Sequence, residues 1–262
     1  MRTFKKNVLS TLAIGSAALI ALTGCGDSNN GSSETEGSGF TPRTAGQLTV
    51  CSDVPYEPFE FKKDGEIVGL DIDIANEIAS DMDLKLSVIT AGFDSIESGL
   101  FKTQCDIAMS SISITDARKA NMDFSEPYLD DDLMLVARKG SGITDVESAK
   151  GKRVAVQQAT TGEKYGKEQG LETIGYEDSG LQLQALTSNK ADAALGNQSV
   201  LRYAIADKPD FEVVQEIQTG EKLGVAVPKD SAELLDKVNS TLDRLKSSGD
   251  LDKMTDKWLG QK

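Results

Sequence analysis

The chain contains no histidine, and its 262 residues include only three cysteines and one tryptophan. Without imidazole, the commonest protein metal ligand and the commonest neutral-pH acid–base group are both missing. Cys25, Cys51 and Cys105 are spaced too widely for a metal-binding cysteine pair. These absences remove most zinc, haem and histidine-base chemistry, so no metal, no cofactor and no catalytic residue is expected. Positive charge is also scarce: 28 Lys and Arg stand against 42 Asp and Glu, a formal charge of −14. Such a chain suits neither nucleic acid nor an anionic bilayer as partner, and it favours the approach of cationic or zwitterionic solutes. A long hydrophobic run is missing too. The best candidate, 8–22, is interrupted by Ser10, Thr11, Gly15 and Ser16 and falls short of the roughly 20 apolar residues of a comfortable membrane span.

That run instead has the form of a leader. Arg2, Lys5 and Lys6 precede it, and it ends in Leu22-Thr23-Gly24-Cys25, which resembles the bacterial lipobox, where cleavage precedes the cysteine and its thiol carries a diacylglycerol. A plain secretory signal with a chance cysteine is the competing reading. Residues 1–24 are thus expected to be a lipoprotein signal peptide, with Cys25 the lipidation site and the protein anchored on the outer face of the cell membrane. Loss of the leader leaves 25 basic residues against 42 acidic ones, a charge of −17. From 26 to 39 there are only Gly, Ser, Asn, Asp, Glu and Thr, so 25–43 reads as a flexible tether. A Cys51–Cys105 disulfide is conceivable outside the cytoplasm. It is not expected here, because one cysteine lies late in a strand and the other at the start of its parallel neighbour, too far apart to bridge.

From about Thr44 onward short apolar runs alternate with helical patterns, the signature of βαβ units and parallel sheets. Strands are expected at 47–52, 85–90, 105–110, 133–137, 153–157, 173–176, 191–195, 212–216 and 223–227. Helices are expected at 71–81, 93–102, 115–121, 162–169, 181–188, 199–207 and 231–247, with Leu251, Met254 and Trp258 continuing the helical spacing. Leu234, Leu235, Val238, Leu242 and Leu245 form one stripe ended by Gly249. Such stripes are core.

Three clusters carry polar groups to places where open α/β sheets bind ligands. In the first, a buried strand runs out into Ser110, Ser111 and Ser113 before Thr115, a helix N-cap. Arg118 follows in the expected first helical turn, where a cation opposes the macrodipole unless an anion is near. It is either a surface residue paired with Asp116 or Asp123, or a guanidinium fork for a ligand carboxylate; the flanking serines favour the second. In the second, strand 153–157 leads through Thr160 and Thr161 to Glu163, a capping-box spacing that would point free amides outward. In the third, Asp53 ends the first strand and Tyr56 sits in a loop stiffened by Pro55 and Pro58, with Phe93 opening a later helix. Aromatic walls with a few aimed polar groups describe a small-molecule cleft, although each aromatic taken singly is more often core.

Together these pieces resemble the family 3 solute-binding proteins, the polar amino-acid receptors of ABC importers. The resemblance rests on Tyr56-Glu-Pro-Phe-Glu-Phe, Gly69-Leu-Asp-Ile-Asp-Ile-Ala, the segment Ser110 to Arg118, Asp123-Phe-Ser-Glu-Pro-Tyr128, Gly151-Lys-Arg-Val-Ala-Val156 and Ala191-Asp-Ala-Ala194, in that order along 48–259. It implies an α/β, two-lobed periplasmic-binding-protein-like (type II) fold, two mixed sheets flanked by helices and joined by two hinge strands. Lobe 1 would comprise 44–132 and 226–262, and lobe 2 would comprise 133–225. By position, Arg118 and the Thr161 amide would hold an α-carboxylate with Ser113 assisting. Ser111 would offer its amide, Ser110 would face the ammonium, Tyr56 and Phe93 would sandwich the side chain and Asp53 would meet its far end. Asn197 falls where the family usually places an ammonium-binding Asp, a departure that should weaken that contact unless another carboxylate compensates.

The implied partners are an amino-acid-like ligand, the transmembrane subunits of an ABC permease and the membrane through the lipid anchor, with the protein a monomer. Two alternatives remain: a ligand-sensing lipoprotein without transport, and a cyclohexadienyl-dehydratase-like enzyme. The lack of histidine and the neutral Asn197 argue against the enzyme, while Asp53 and Glu57 remain as acids it could use.

Overall fold

The computed structural model describes residues 40–260. The expected signal peptide, Cys25 and the greater part of the expected tether lie outside the described residues. Residues 40–43 are part of the folded body: Phe40 packs on the first core, and the Arg43 amide donates to Asp106 at 2.9 Å while its guanidinium donates to the Lys102 and Cys105 carbonyls. The folded body therefore already includes Phe40, ahead of the expected Thr44.

The first lobe is built from β1 (Gln47–Ser52), β2 (Phe61–Lys63), β3 (Glu66–Val68), α1 (Leu70–Asp81), β4 (Lys85–Thr90), α2 (Phe93–Glu97), β5 (Ile107–Ala108), α3 (Asp116–Lys119) and β6 (Met122–Phe124). After β7 (Leu129–Asp130) the chain enters the second lobe with β8 (Leu133–Arg138), β9 (Arg153–Gln157), α4 (Thr161–Glu168), β10 (Glu172–Tyr176), α5 (Ser179–Thr187), β11 (Ala193–Asn197), α6 (Gln198–Ile205) and β12 (Phe211–Ile217). It returns through β13 (Lys222–Leu223) to β14 (Ala226–Pro228), α7 (Ala232–Ser248) and α8 (Asp250–Leu259).

The two sheets are mixed, ordered β4-β1-β5-β14-β6 and β10-β9-β11-β8-β12. Period-two alternation explains why their strands read as continuous apolar runs. In β8, Leu133, Leu135 and Ala137 enter the core on one face, and Met134 and Val136 enter a separate core on the other. β1 does the same, sending Leu48 and Val50 one way and Cys51 the other. Both faces of β8 are covered, so no polar alternation survives in it. The stripe of α7 buries Leu234, Val238, Leu242 and Leu245 on the first lobe, where Arg244 also pairs with Glu77 and Asp81 of α1. Between the sheets, β7 and β13 pair antiparallel, with Lys222 opposite Asp130 and their side chains 2.6 Å apart.

Several elements are shorter than the periodicity predicts. The helix expected over 93–102 breaks at Gly99, whose φ of 78° lets the chain turn where a Cβ would stand 3.0 Å from the Asn121 carbonyl. The strand expected over 223–227 divides, its first part serving the crossing and its last part the sheet. The β2–β3 hairpin was not anticipated, although Asp64-Gly65, both at positive φ, is the usual two-residue hairpin signal.

Cys51 and Cys105 form a disulfide, with Cα atoms 5.6 Å apart, contrary to expectation. Strand β5 holds only Ile107–Ala108, and Cys105 instead closes the 3-10 turn after Leu100–Thr103, its amide donating to the Phe101 carbonyl at 2.8 Å. The chain thus leaves the line of the sheet and passes beneath the face onto which Cys51 projects. The bond closes a loop with a sequence separation of 54, for which chain entropy gives about 4 kcal/mol of stabilisation. Cys51→Ser/Cys105→Ser is expected to lower the urea midpoint accordingly, and an unchanged midpoint would show that the bond does not constrain the unfolded chain.

Candidate functional site

The first-lobe wall is set by buried polar side chains that hold loops in position. Gly69, at φ 141°, starts α1 so close beneath Phe59 that a Cβ there would lie 2.0 Å from the Phe59 carbonyl oxygen. This contact seats the loop carrying Tyr56 on the helix start, where the Leu70 and Asp71 amides donate to the Pro58 and Phe59 carbonyls. Asp71, fully buried, accepts from the Ser111 amide at 2.7 Å and from the Tyr128 hydroxyl at 2.8 Å. Those bonds hold Ser111 at φ 48°, a left-handed conformation that costs a non-glycine residue stability and persists only when its surroundings enforce it.

Arg118 is neither exposed nor paired with Asp116 or Asp123, which bind Lys119 and Lys229. It is 3% exposed, lies 5.1 Å from the Phe93 ring centre, and donates to the Ser113 carbonyl at 3.0 Å. Its helix, α3, is a single four-residue turn, too short to build up a macrodipole, so the expected first-turn conflict does not arise.

The second lobe supplies the facing wall. Thr160 caps α4 by accepting from the Glu163 amide at 3.2 Å, as the capping-box spacing predicts, while Glu163 accepts from the Ala159 amide at 2.9 Å, one residue before the N-cap amide that a capping box uses. Gly162 lets the helix start lie against β11, with a Cβ there only 3.1 Å from the Gly196 Cα. The first amides of a helix have no intrahelical carbonyl to bond, and here they belong to Thr161 and Gly162.

The lobes are closed on each other. Arg118 donates to the Ala159 carbonyl at 3.1 Å, Tyr56 donates to Asn197 Oδ1 at 2.8 Å, and Gln157 donates to Asp53 at 2.6 Å. Between them is a cavity of about 10 Å³ lined by Tyr56, Phe93, Ser111, Ser113, Arg118, Gln157, Thr160, Thr161 and Asn197. A groove of about 650 Å³ lies elsewhere, near Lys119, Asp123, Lys222 and Lys229. Its lysines are paired with Asp116, Asp130 and Asp123 and it is open, so it reads as solvated surface.

Seven of the nine expected site residues line the one cavity. Asp53 stands just behind it through Gln157. Ser110 turns its hydroxyl away, donating to Glu60 at 2.5 Å and accepting from the Asp53 amide at 3.1 Å, so it ties two loops together rather than facing the cavity. Gln157, Thr160 and Glu221 were not among the expected site residues. Gln157 and Thr160 fall within a recognised turn, whereas Glu221 gives no local signal.

Residues 48–261 match the family of bacterial extracellular solute-binding proteins, family 3. The chain belongs to this family. It is 31% identical over 255 residues to the arginine-binding extracellular protein ArtP of Bacillus subtilis, covering 95% of this chain and 96% of that one. It is 34% identical over 226 residues to the lysine/arginine/ornithine-binding periplasmic protein of Escherichia coli, covering 81% and 87%. Its fold superposes with a TM-score of 0.77, at 34% identity and 82% and 96% coverage, on an ancestral amino acid-binding protein, AncCDT-1, a precursor of cyclohexadienyl dehydratase. The two-lobed type II fold expected from the six motifs is the fold found. No helix among the described residues is long and apolar enough to cross a membrane.

This solute-binding protein buries Asp53, Glu60, Asp71 and Asp131. Desolvation pushes Asp53 up to about 7 against a lowering bond from Gln157, and pushes Asp131 up to about 7 against bonds from Ser199. Desolvation likewise raises Glu60 and Asp71, and the charge of Asp71 raises Glu60 further. A carboxyl whose folded pKa is raised binds protons more tightly in the folded state. Its contribution is therefore intact below pH 3.8 and is lost as pH rises toward about 7. Thermal unfolding should accordingly show Tm falling between about pH 4 and 7, with a shallower fall in Asp53→Asn; parallel profiles would place the Asp53 pKa near its ordinary value.

Proposed function

We propose that this protein captures an amino acid with a donor-rich, basic side chain by closure of its two lobes and hands it to an ABC-type permease. The observation that carries the reading is Arg118: a buried guanidinium set between lobes, bonded to a carbonyl of each, beside the open amides at the start of α4. A guanidinium has five N–H groups, and only two are engaged by those carbonyls, so it can still offer a fork to a carboxylate. In this reading Arg118 and the Thr161 amide hold the α-carboxylate, with Tyr56 and Phe93 flanking the side chain. Beyond them Asp53 and Gln157 Oε1, which has no hydrogen-bond partner among the described residues, are acceptors for a cationic end. The named substrates of the relatives, arginine, lysine and ornithine, support that choice.

Residues 44–132 with 226–262, and residues 133–225, act as the two moving bodies, and the paired crossing strands are the hinge. Cys25 carries the lipid that retains the protein, a monomer, at the outer face of the membrane. Radiolabelled palmitate should enter the wild type and not Cys25→Ser; equal labelling would remove that anchor.

A second reading is favoured by Asp53, whose pKa near 7 is that of a usable general acid, and by the likeness to a dehydratase precursor. Turnover of prephenate- or arogenate-type compounds by the purified protein would establish it. The binding reading is preferred because the Asp53 carboxyl is engaged by Gln157 at the end of the cleft rather than beside Arg118.

Calorimetry with L-arginine and L-lysine tests the proposal. Arg118→Ala should weaken binding by about 30-fold or more, since truncating one partner of a buried charge pair costs about 2–5 kcal/mol. Near-native affinity in a folded Arg118→Ala protein would take the carboxylate away from this residue.

A further inference from the structure

The geometry points to Glu221 as the residue that makes the cleft select a ligand carrying an ammonium next to its carboxylate. This rests on the amino-acid reading above and adds a determinant to it. Glu221 immediately precedes β13 in the crossing, where its carbonyl accepts from the Asp131 amide at 3.1 Å. Its Oε2 accepts from Ser113 Oγ at 2.6 Å and from Thr161 Oγ1 at 2.8 Å, one hydroxyl from each lobe.

A hydroxyl has one proton to give. With both protons directed to Glu221, Ser113 and Thr161 present lone pairs to the cavity they line. Lone pairs accept from an ammonium and repel a carboxylate. The ligand carboxylate is thereby directed to Arg118 and the α4 amides, and the ammonium to the hydroxyls with a negative group behind them.

Glu221 does not act as a substitute for the ligand carboxylate, because Arg118 sends its hydrogen bonds to the Ser113 and Ala159 carbonyls instead. Neither neighbour can take its place. Asn197 is neutral, and its Oδ1 already accepts from Tyr56. Asp131 accepts from neither hydroxyl: its Oδ1 is held by the amide and hydroxyl of Ser199, at 3.0 and 2.8 Å, and its Oδ2 has no hydrogen-bond partner among the described residues. The negative charge that Asn197 lacks is thus supplied from the hinge.

The test compares L-arginine with 5-guanidinopentanoate, the same molecule without its α-amino group, by calorimetry on wild type, Glu221→Gln and Ser113→Ala. Glu221→Gln should weaken L-arginine by about 10- to 100-fold, the range for a charged hydrogen bond, while 5-guanidinopentanoate changes by less than about threefold. Ser113→Ala, which keeps Glu221, should narrow the same ratio and covers the case in which Glu221→Gln does not fold. Equal weakening of both ligands would make Glu221 a mere interlobe tie and overturn the inference, as would an unchanged ratio. A wild type that binds neither compound overturns the amino-acid reading along with it.

Discussion

The structure depends on one buried guanidinium. Desolvating a charge is costly unless hydrogen bonds replace water, and Arg118 recovers those bonds from two carbonyls that belong to different lobes. Its position therefore exists only when the lobes meet. The local structure around it follows from that demand: Ser111 and Ala159, both non-glycine residues at positive φ, sit on opposite sides of the cleft. Asp71 braces the first, and Glu163 braces the second. Strain at the site is balanced by polar bonds just behind it.

The carboxyls impose the opposite constraint. Asp53, Glu60, Asp71 and Asp131 are all buried. Glu60 Oε2 and Asp131 Oδ2 have no hydrogen-bond partner among the described residues. Desolvation raises the proton affinity of each, and the charges of Asp71 and Asp53 raise that of Glu60 further. A cationic ligand side chain entering near Asp53 would relieve part of that cost, which makes the acidity of the cleft complementary to the basic end of the proposed ligand.

Much of this was readable from residues alone, for identifiable reasons. Arg118, Thr161, Tyr56 and Phe93 stood beside strand ends and helix starts, where chain direction predicts convergence. Period-two and helical alternation placed the strands of both sheets to within a few residues, except β6, whose three residues are too few to show a period. What failed were features set by tertiary contact. The Cys51–Cys105 bond depended on a turn that lifts Cys105 off the sheet, and propensity does not reveal such a turn. Ser110 seemed a ligand contact, yet the buried Glu60 captured its hydroxyl. Glu221 lay in a segment with no capping, turn or periodic signal, and its role emerges only when the crossing strand brings it between two hydroxyls 48 positions apart.

That last placement joins recognition to motion. Glu221 and Asp131 adjoin the crossing strands, so the segment that would bend on opening also holds two carboxyl groups. Asp132, at the edge of the same segment, accepts from the Thr219 and Gly220 amides at 3.0 and 2.7 Å and stiffens the returning strand. Opening would pull Thr161 away from Glu221 while Ser113, bridged to Leu223 on the crossing strand, stays with it. The ammonium subsite would then be half assembled in the open form and complete only in the closed one. A ligand bearing that group would stabilise closure more than one lacking it, because only the former gains contacts that the open form does not offer. Selectivity and closure would thus draw on the same pair of hydroxyls.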